Sequence, residues 1–394
     1  MIPNNLEFLQ GVVRQNIKVD VNEFLLKNSA KLEKKDLHWV GKQILSRQKC
    51  KIKLPSWFDN FDLILPPPLS IEQSSSFKTA QYKANLFSGN SFADLTGGMG
   101  IDCLALSKNF KKGIYFELQN QVAAVAEYNF EKLGVNSIEV LNVNSVEYLN
   151  QNNPKFDLIF IDPTRRDENQ KKVFQLSDCE PNLIENLGLL LKSSDKILIK
   201  ASPLLDLSLS IKQLKFIEKI HLLAVENETK EILIEISKGF NSPIQVFTVN
   251  FTKSYEQKFD FIFKNEASVP VLFSEPMNYL FEPNAAIMKS GGFKSVAQKL
   301  ELKKISIHSH LYTSNEYVEF PGRVFKVENC TKVDTKSIKM LIPSGKANLT
   351  TRNFPMKVEE LRKKLKLEDG GEDYIFATTD SKNNKLLIIC RKLI

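Results

Sequence analysis

The chain lacks any apolar run long enough for a membrane: apolar stretches such as Leu187–Leu191 and Ile197–Ile199 fall far short of the about 20 residues a bilayer requires. Cysteine is scarce. The five, at 50, 103, 179, 330 and 390, are scattered, odd in number and without a CxxC pair, and the four histidines sit at no ligand spacing. Neither a disulfide framework nor a structural zinc is expected, no metal is expected, and a reducing cytoplasm fits. The opening Met1-Ile-Pro-Asn-Asn has no basic stretch followed by an apolar run, so no secretion signal is expected. Internal repeats and low-complexity tracts are missing as well, and nothing bears on oligomeric state.

Charge of one sign is also in short supply: 54 Lys+Arg against 46 Asp+Glu leaves +8 over 394 residues. Its placement is uneven. From residue 331 onward 14 basic side chains face 8 acidic ones, so +6 of the total lies in the last sixth of the chain. That excess reads either as a solvated lysine-rich surface or as a module that faces a polyanion.

What is present is a length suited to two or three domains. Residues 1–80 begin with a helical region, in which Phe24, Leu25, Leu32, Leu37, Val40, Ile44 and Leu45 recur near helical spacing until Pro55 and Pro66-Pro67-Pro68 interrupt it. Over 81–270 apolar strands alternate with helices. Strands are expected at Ser91–Asp94, Gly113–Glu117, Ile138–Asn142, Leu158–Asp162 and Ile197–Lys200, with helices at Asp102–Asn109, Gln119–Leu133 and Pro181–Leu191. This rhythm predicts an α/β fold with a mostly parallel sheet. Two further strands, His221–Glu226 and Glu231–Ile236, are separated by too few residues for a crossover helix and should be antiparallel. Ile244–Phe251 and Phe259–Phe263 read as a hairpin extension. Residues 271–328 form a small mixed unit with a helix at Ser295–Leu300 and a strand at Lys304–His308. Residues 329–394 read as strand (Ser337–Ile342), strand (Ala347–Arg352), helix (Lys357–Leu365) and two strands (Tyr374–Thr379, Lys385–Arg391).

The strongest local pattern is Phe92-Ala-Asp-Leu-Thr-Gly-Gly-Met-Gly-Ile-Asp102, a strand entering a glycine loop that opens a helix. Gly97, Gly98 and Gly100 allow a tight turn and the close approach of a ligand. The dinucleotide fingerprint GxGxxG fails because Cys103 holds its third position. Asp94 stands before the glycines, where a carboxylate repels a pyrophosphate but accepts hydrogen bonds from an ammonium group. Glu117 ends the second strand, in position to take the two hydroxyls of a ribose. Asn144 follows the third strand, where a polar side chain would hold an adenine amino group. Asp162-Pro163 closes the fourth, where the chain leaves the sheet.

These residues resemble a known family. Asp94-x-x-x-Gly98-x-Gly100, Glu117 and Asp162-Pro163 look like motifs I, post-I and IV of the class I S-adenosylmethionine-dependent methyltransferases. The wider chain resembles a bacterial subgroup with a ferredoxin-like insert and a C-terminal THUMP-like domain. Its marks are Ser74-Ser-Ser-x-x-Thr79-Ala-x-Tyr-Lys83, Asp162-Pro-Thr-Arg-Arg166, Lys200-Ala-Ser-Pro203, Asn227-Glu-x-Lys-Glu231 and Glu282-Pro-Asn-Ala-Ala286. The resemblance implies a Rossmann-like domain whose last strand is antiparallel and whose cofactor is S-adenosylmethionine. Asp94 with Gly97, Gly98 and Gly100 would hold the methionine part, Glu117 the ribose and Asn144 the adenine, and Thr96, Asp102 and Asp162 would complete the cofactor site.

Methyl transfer needs alignment more than acid–base machinery, and no triad is visible. Asp162, Pro163, Arg165 and Arg166 are the candidate acceptor-site residues. Guanidinium forks there suit an anionic acceptor, or else form salt bridges with Asp167 or Glu168. Cys179 reads as part of a helix start capped by Asp178 rather than as a nucleophile. Lys200 and Ser202, at the end of the next strand, face the ligand edge by topology. The THUMP-like resemblance, on Ala347-Asn-Leu-Thr-Thr-Arg-Asn-Phe-Pro355 and Val358-Glu-Glu-Leu-Arg-Lys-Lys-Leu365, implies an RNA acceptor, with the run Arg362–Lys366 as its basic surface. Transfer to a protein or small molecule, a non-catalytic RNA-binding protein and a nicotinamide-linked enzyme are the alternatives.

Overall fold

The computed structural model describes residues 2–165 and 176–393, apart from the Arg165 side chain. The chain divides into two compact units, Met1–Phe216 with Ile234–Phe240, and Ile217–Leu233 with Asn241–Ile394.

The first unit opens with helices α1 (Leu6–Asn16), α2 (Val21–Asn28), α3 (Lys34–Lys53), α4 (Pro55–Asp59), α5 (Pro68–Gln73) and α6 (Phe77–Ala84). Leu9, Val13, Phe24, Leu37, Val40 and Ile44 form one core where α1 and α2 meet α3, the stripe expected from helical spacing. The end of the short α4 and the irregular segment after it carry backbone carbonyls with no helical partner. Arg47 on α3 meets them, donating from Nη1 to the carbonyls of Trp57, Phe58 and Asn60 and from Nη2 to that of Leu63. The Gln43 amide pairs with both backbone groups of Leu65, and Asn129 does the same for Ile64.

Next come β1 (Gly89–Asp94), α7 (Ile101–Leu106), β2 (Phe110–Phe116), α8 (Asn120–Lys132), β3 (Ile138–Leu141), α9 (Ser145–Asn152) and β4 (Leu158–Ile161). A two-residue ribbon of β5 (Thr164–Arg165) and β6 (Cys179–Glu180) precedes α10 (Leu183–Ser193), β7 (Lys196–Ala201) and α11 (Leu207–Gln213). The strands run β3-β2-β1-β4-β7, all parallel. The Ile234–Ser237 end of β9 (Glu228–Ser237) lies beside β7. β4 is buried along its whole length, as a strand covered on both faces must be. Because they are parallel, β1, β2, β3, β4 and β7 all end at one edge, where ligands bind in open α/β sheets.

In the second unit β8 (Ile217–Val225) and β9 are joined only by Glu226 and Asn227, both at positive φ. Two left-handed residues make the tight hairpin turn that antiparallel strands use, so the short link means what the sequence predicts. β10 (Gln245–Phe251) pairs parallel to β8 and antiparallel to β11 (Glu256–Ile262), the expected hairpin extension. A separate sheet runs β13 (Lys303–Lys304), β14 (Tyr312–Ser314), β12 (Tyr279–Pro283), β15 (Gly322–Lys332), β18 (Lys385–Lys392), β17 (Asp373–Thr379), β16 (Asn348–Arg352). Helix α12 (Ala285–Ser290) packs on β8 and β10, and α13 (Phe293–Lys299), α14 (Thr335–Leu341) and α15 (Val358–Leu365) follow it along the chain.

Three sequence readings are corrected. The segment Ser337–Ile342 is not a strand but most of α14. Asp334 caps its N-terminus by accepting the Ser337 N–H, and Ile338 and Ile342, one turn apart, both reach the core. The strand read at Lys304–His308 ends at Lys304, because Ser309 Oγ accepts the Ser306 N–H and turns the chain back. The helix start read at Asp178 belongs to Asn182, whose side chain accepts the N–H groups of Ile184 and Glu185. Among the described residues no helix is long and apolar enough to cross a membrane.

Candidate active site

The glycine loop leaves β1 at the carboxyl edge and opens α7, as the strand–glycine–helix pattern requires. Two glycines do different work. At Gly97 (φ 39°) a Cβ would meet the Phe116 carbonyl at 2.6 Å, so glycine lets the loop lie against β2. At Gly98 (φ 75°) an added Cβ would find nothing nearer than the Thr96 carbonyl at 4.0 Å. The backbone there faces open space, a cradle in which a ligand can lie against the main chain. Tyr115 holds this loop by donating its hydroxyl to the Gly98 carbonyl at 2.7 Å. Sequence reading missed Tyr115, which is buried among apolar residues and looks like core. Tyr115→Phe keeps that packing and removes one hydrogen bond. It should lower stability by about 1 kcal/mol, measured by denaturant unfolding, without changing the far-UV spectrum.

Carboxylates surround the cradle. Asp94 is almost fully buried, and its Oδ1 accepts the Thr96 N–H at 3.1 Å. Burial pushes its carboxyl up to about 8, with the nearby acids Asp102 and Asp162 adding to the effect. Glu117, at the end of β2, accepts the Gly98 N–H at 2.9 Å and the Gln119 N–H at 2.8 Å, which points its carboxylate along the loop. A carboxylate so held still has lone pairs for further donors. Beside it Leu118 is 63% exposed and Val143 43% exposed, two apolar side chains at the ends of β2 and β3. Asn142 Nδ2 ties these ends together by donating to the carbonyls of Glu117 and Leu118. Asn144 caps α9, its Oδ1 accepting the N–H groups of Val146 and Glu147.

Behind the loop lies an ion cluster that separated sequence motifs assemble. Lys83 Nζ, fully buried on α6, stands 3.2 Å from Asp102 Oδ1. Ser75 donates to Asp102 Oδ2 at 2.8 Å and accepts from Lys83. Lys200, at the end of β7, bridges Asp102 at 3.3 Å and Asp162 at 2.6 Å. Burial works against ionisation of Asp102, but Lys83 and Lys200 hold its carboxyl below the usual range. Thr96 Oγ1 accepts the Asp162 N–H at 2.7 Å and so joins the glycine loop directly to the end of β4. Thus Asp94, Thr96, Gly97, Gly98, Glu117 and Asp162 come together at one edge, whereas Asp102 turns inward to the lysines. Pro163 follows Asp162 and is buried. Arg166 and the Arg165 side chain lie outside the described residues. Cys179 is buried, and its thiol is pushed up to about 12 mainly by that burial, the opposite of an activated nucleophile. Among the described residues no group of three or more His, Cys, Asp or Glu side chains is placed to hold a metal.

The remaining marks are structural. In the second unit Asn227 Oδ1 accepts the Ala285 N–H at 2.8 Å, and Glu282 is gripped by Arg323 and by Arg352 at 2.8 Å. The basic run at 362–366 is not uniform. Arg362 pairs with Asp369 at 2.7 Å and donates to the Ala347 carbonyl, whereas Lys363, Lys364 and Lys366 are exposed and make no ion pair among the described residues.

Residues 67–213 match the family described as Conserved hypothetical protein 95. Residues 279–321 match a ferredoxin-like domain and 322–392 a THUMP domain-like family. No curated protein matches the chain. A crystal structure from Porphyromonas gingivalis W83, provisionally described as a methyltransferase, is 32% identical, covers 100% of both chains and has a TM-score of 0.89. An rRNA methylase from Streptococcus thermophilus is 15% identical over 41% of this chain and 94% of its own, with a TM-score of 0.30. TrmK of M. capricolum, bound to S-adenosyl-homocysteine, is 14% identical over 45% and 71%, also at 0.30. These last two are too distant to bear on what this chain does. The full-length likeness and the three domain matches decide the matter: the chain belongs to a methyltransferase family that carries a ferredoxin-like domain and a C-terminal THUMP-like domain.

Proposed function

We propose that the protein binds S-adenosylmethionine at the carboxyl edge of the first unit's sheet and transfers its methyl group to an RNA base. The observation that carries this reading is the open backbone cradle at Gly98, set between the buried Asp94 and the fixed Glu117. The residues present fit the cofactor. Asp94 suits its ammonium group, Glu117 its ribose hydroxyls, and Leu118 and Val143 offer apolar faces to its adenine. Asn144, with Oδ1 spent on its helix, offers only Nδ2 donors, which suit an adenine ring nitrogen rather than the amino group. When bound, the cofactor supplies a methyl already activated on sulfonium. The protein then has to align an acceptor and exclude water. Lys200 occupies Asp162 Oδ2, and Oδ1, which accepts no hydrogen bond among the described residues, is the atom offered to the acceptor. Calorimetry with S-adenosyl-homocysteine against NAD tests the cofactor. Transfer of labelled methyl to total RNA from a strain lacking the protein tests the acceptor, and nucleoside mass spectrometry names the base.

The RNA part rests on the THUMP-like stretch and its unpaired lysines. Replacing Lys363, Lys364 and Lys366 together by Gln should weaken RNA binding about tenfold near 0.1 M salt. The log–log salt slope should fall by roughly two to three, since each phosphate neutralised releases counterions. The melting temperature should not move, because none of the three is buried. Binding that keeps both its strength and its salt slope would show that these lysines form only a solvated face.

A further inference from the structure

We propose a second ligand site on the opposite side of the motif I helix, which takes a small amphipathic anion with an apolar body of about ten carbons. Helix α7 has two working faces. One carries Asp102 into the ion cluster. The other presents Ile101, Leu104 and Ala105 to a cavity of about 300 Å³, and Lys108, in the turn just past the helix end, lines the same cavity. The cavity is closed by Leu54 and Trp57 from the α4 region, by Phe77, Ala80 and Ala84 from α6, and by Leu133 and Val135 before β3. Asn109, which precedes β2, also lines it, so the cavity sits toward the amino ends of the strands. The glycine cradle lies at their carboxyl ends, which makes the two sites distinct.

Three features point to the ligand class. First, the walls are dominated by aliphatic and aromatic side chains, and Phe77 stays 49% exposed at the lip. That is the composition of small-molecule pockets and of their size range. Secondly, at about 30 Å³ per heavy atom, the share of one water in the liquid, the space holds about ten carbons. Thirdly, Lys108 is the one charged residue of the lining, and it makes no ion pair among the described residues. The neighbouring Gln81 and Asn85 add carboxamide donors, and no acid lines the cavity. An apolar tail in the cavity with one terminal anion at Lys108 satisfies all three. Such an occupant joins the N-terminal helices to the helix that opens from the glycine loop.

Decanoate is the probe, and the full chain is used. The chain has two tryptophans, Trp39 and Trp57, and Trp57 lines the cavity, so intrinsic fluorescence reports binding. Saturable binding below 1 mM is expected for decanoate, with at least tenfold weaker binding of the neutral decanamide. Lys108→Gln, a surface change, should weaken decanoate about tenfold and leave decanamide alone. Ala105→Phe should fill the cavity and abolish binding of both, with the melting temperature checked alongside. S-adenosyl-homocysteine binding, measured separately, should survive Lys108→Gln, so failure of the cofactor assignment and failure of this one can be told apart. Decanoate that does not bind, binds Lys108→Gln equally well, or binds a folded Ala105→Phe equally well overturns the proposal.

Discussion

Asp94→Asn is expected to bind S-adenosylmethionine at least 30-fold more weakly than the unmodified protein. A hydrogen bond to a charged group contributes about 1.5–3 kcal/mol, and the buried setting of Asp94 leaves little water to replace it. The pH dependence is a sharper test. In the ligand-free protein the Asp94 carboxyl is raised from 3.8 to about 8, chiefly by burial. An ammonium ligand needs the carboxylate, so affinity should climb as pH rises from 6 towards 8. Above about 8 the ligand's own α-amino group loses its proton, and affinity should fall again. Stability of the ligand-free protein runs the other way. An acid whose folded value is raised holds its proton more tightly in the folded state. Its contribution is therefore complete below 3.8 and is lost as pH rises to about 8. Asn at 94 should flatten both trends. Calorimetric affinities at pH 6, 7 and 8 decide the point; affinity within threefold of the unmodified protein would remove Asp94 from the site.

Arg47→Met should be the most destabilising single change in the N-terminal region, by about 4 kcal/mol. The guanidinium is 1% exposed and satisfies four backbone carbonyls, and it packs 4.6 Å from the centre of the Phe61 ring. Burial lowers its value to about 10, still charged at neutral pH. Methionine keeps the length and the apolar stem but leaves the carbonyls of Trp57, Phe58 and Leu63 without the guanidinium and that of Asn60 with only the Leu63 N–H at 3.4 Å, at about 1–3 kcal/mol for each that stays dry. Arg47→Lys should recover little, because an ammonium cannot fork toward carbonyls spread over 57–63. Chemical denaturation reads the change. A loss below 1 kcal/mol would mean that water reaches the loop carbonyls and that the arginine is replaceable.

These two residues differ in how far they could be read beforehand. Asp94 announces itself because its meaning is local: an apolar strand, an acid and three glycines within nine residues already dictate a turn at a sheet edge. Arg47 sits in a charged helix, and nothing near it in sequence shows that the segment after Pro55 folds back onto it. Ser337–Ile342 shows the same limit at the level of secondary structure. Ile338, Met340 and Ile342 alternate as a strand would, and only packing reveals that Met340 is 76% exposed while the two isoleucines share a buried face.

The strand–helix alternation, the antiparallel hairpin after Val225 and the acids at Asp94, Glu117 and Asp162 were set by the sequence alone, because each rests on spacing within a few residues. The tertiary structure alone decided what lies behind the site. Lys83, Asp102 and Lys200 are far apart along the chain, and buried charges of this kind are stable only when their partners converge. That convergence is a property of the packed sheet and helices, and no local pattern encodes it. The same holds for Tyr115, whose hydroxyl has a purpose only once β2 lies against the glycine loop.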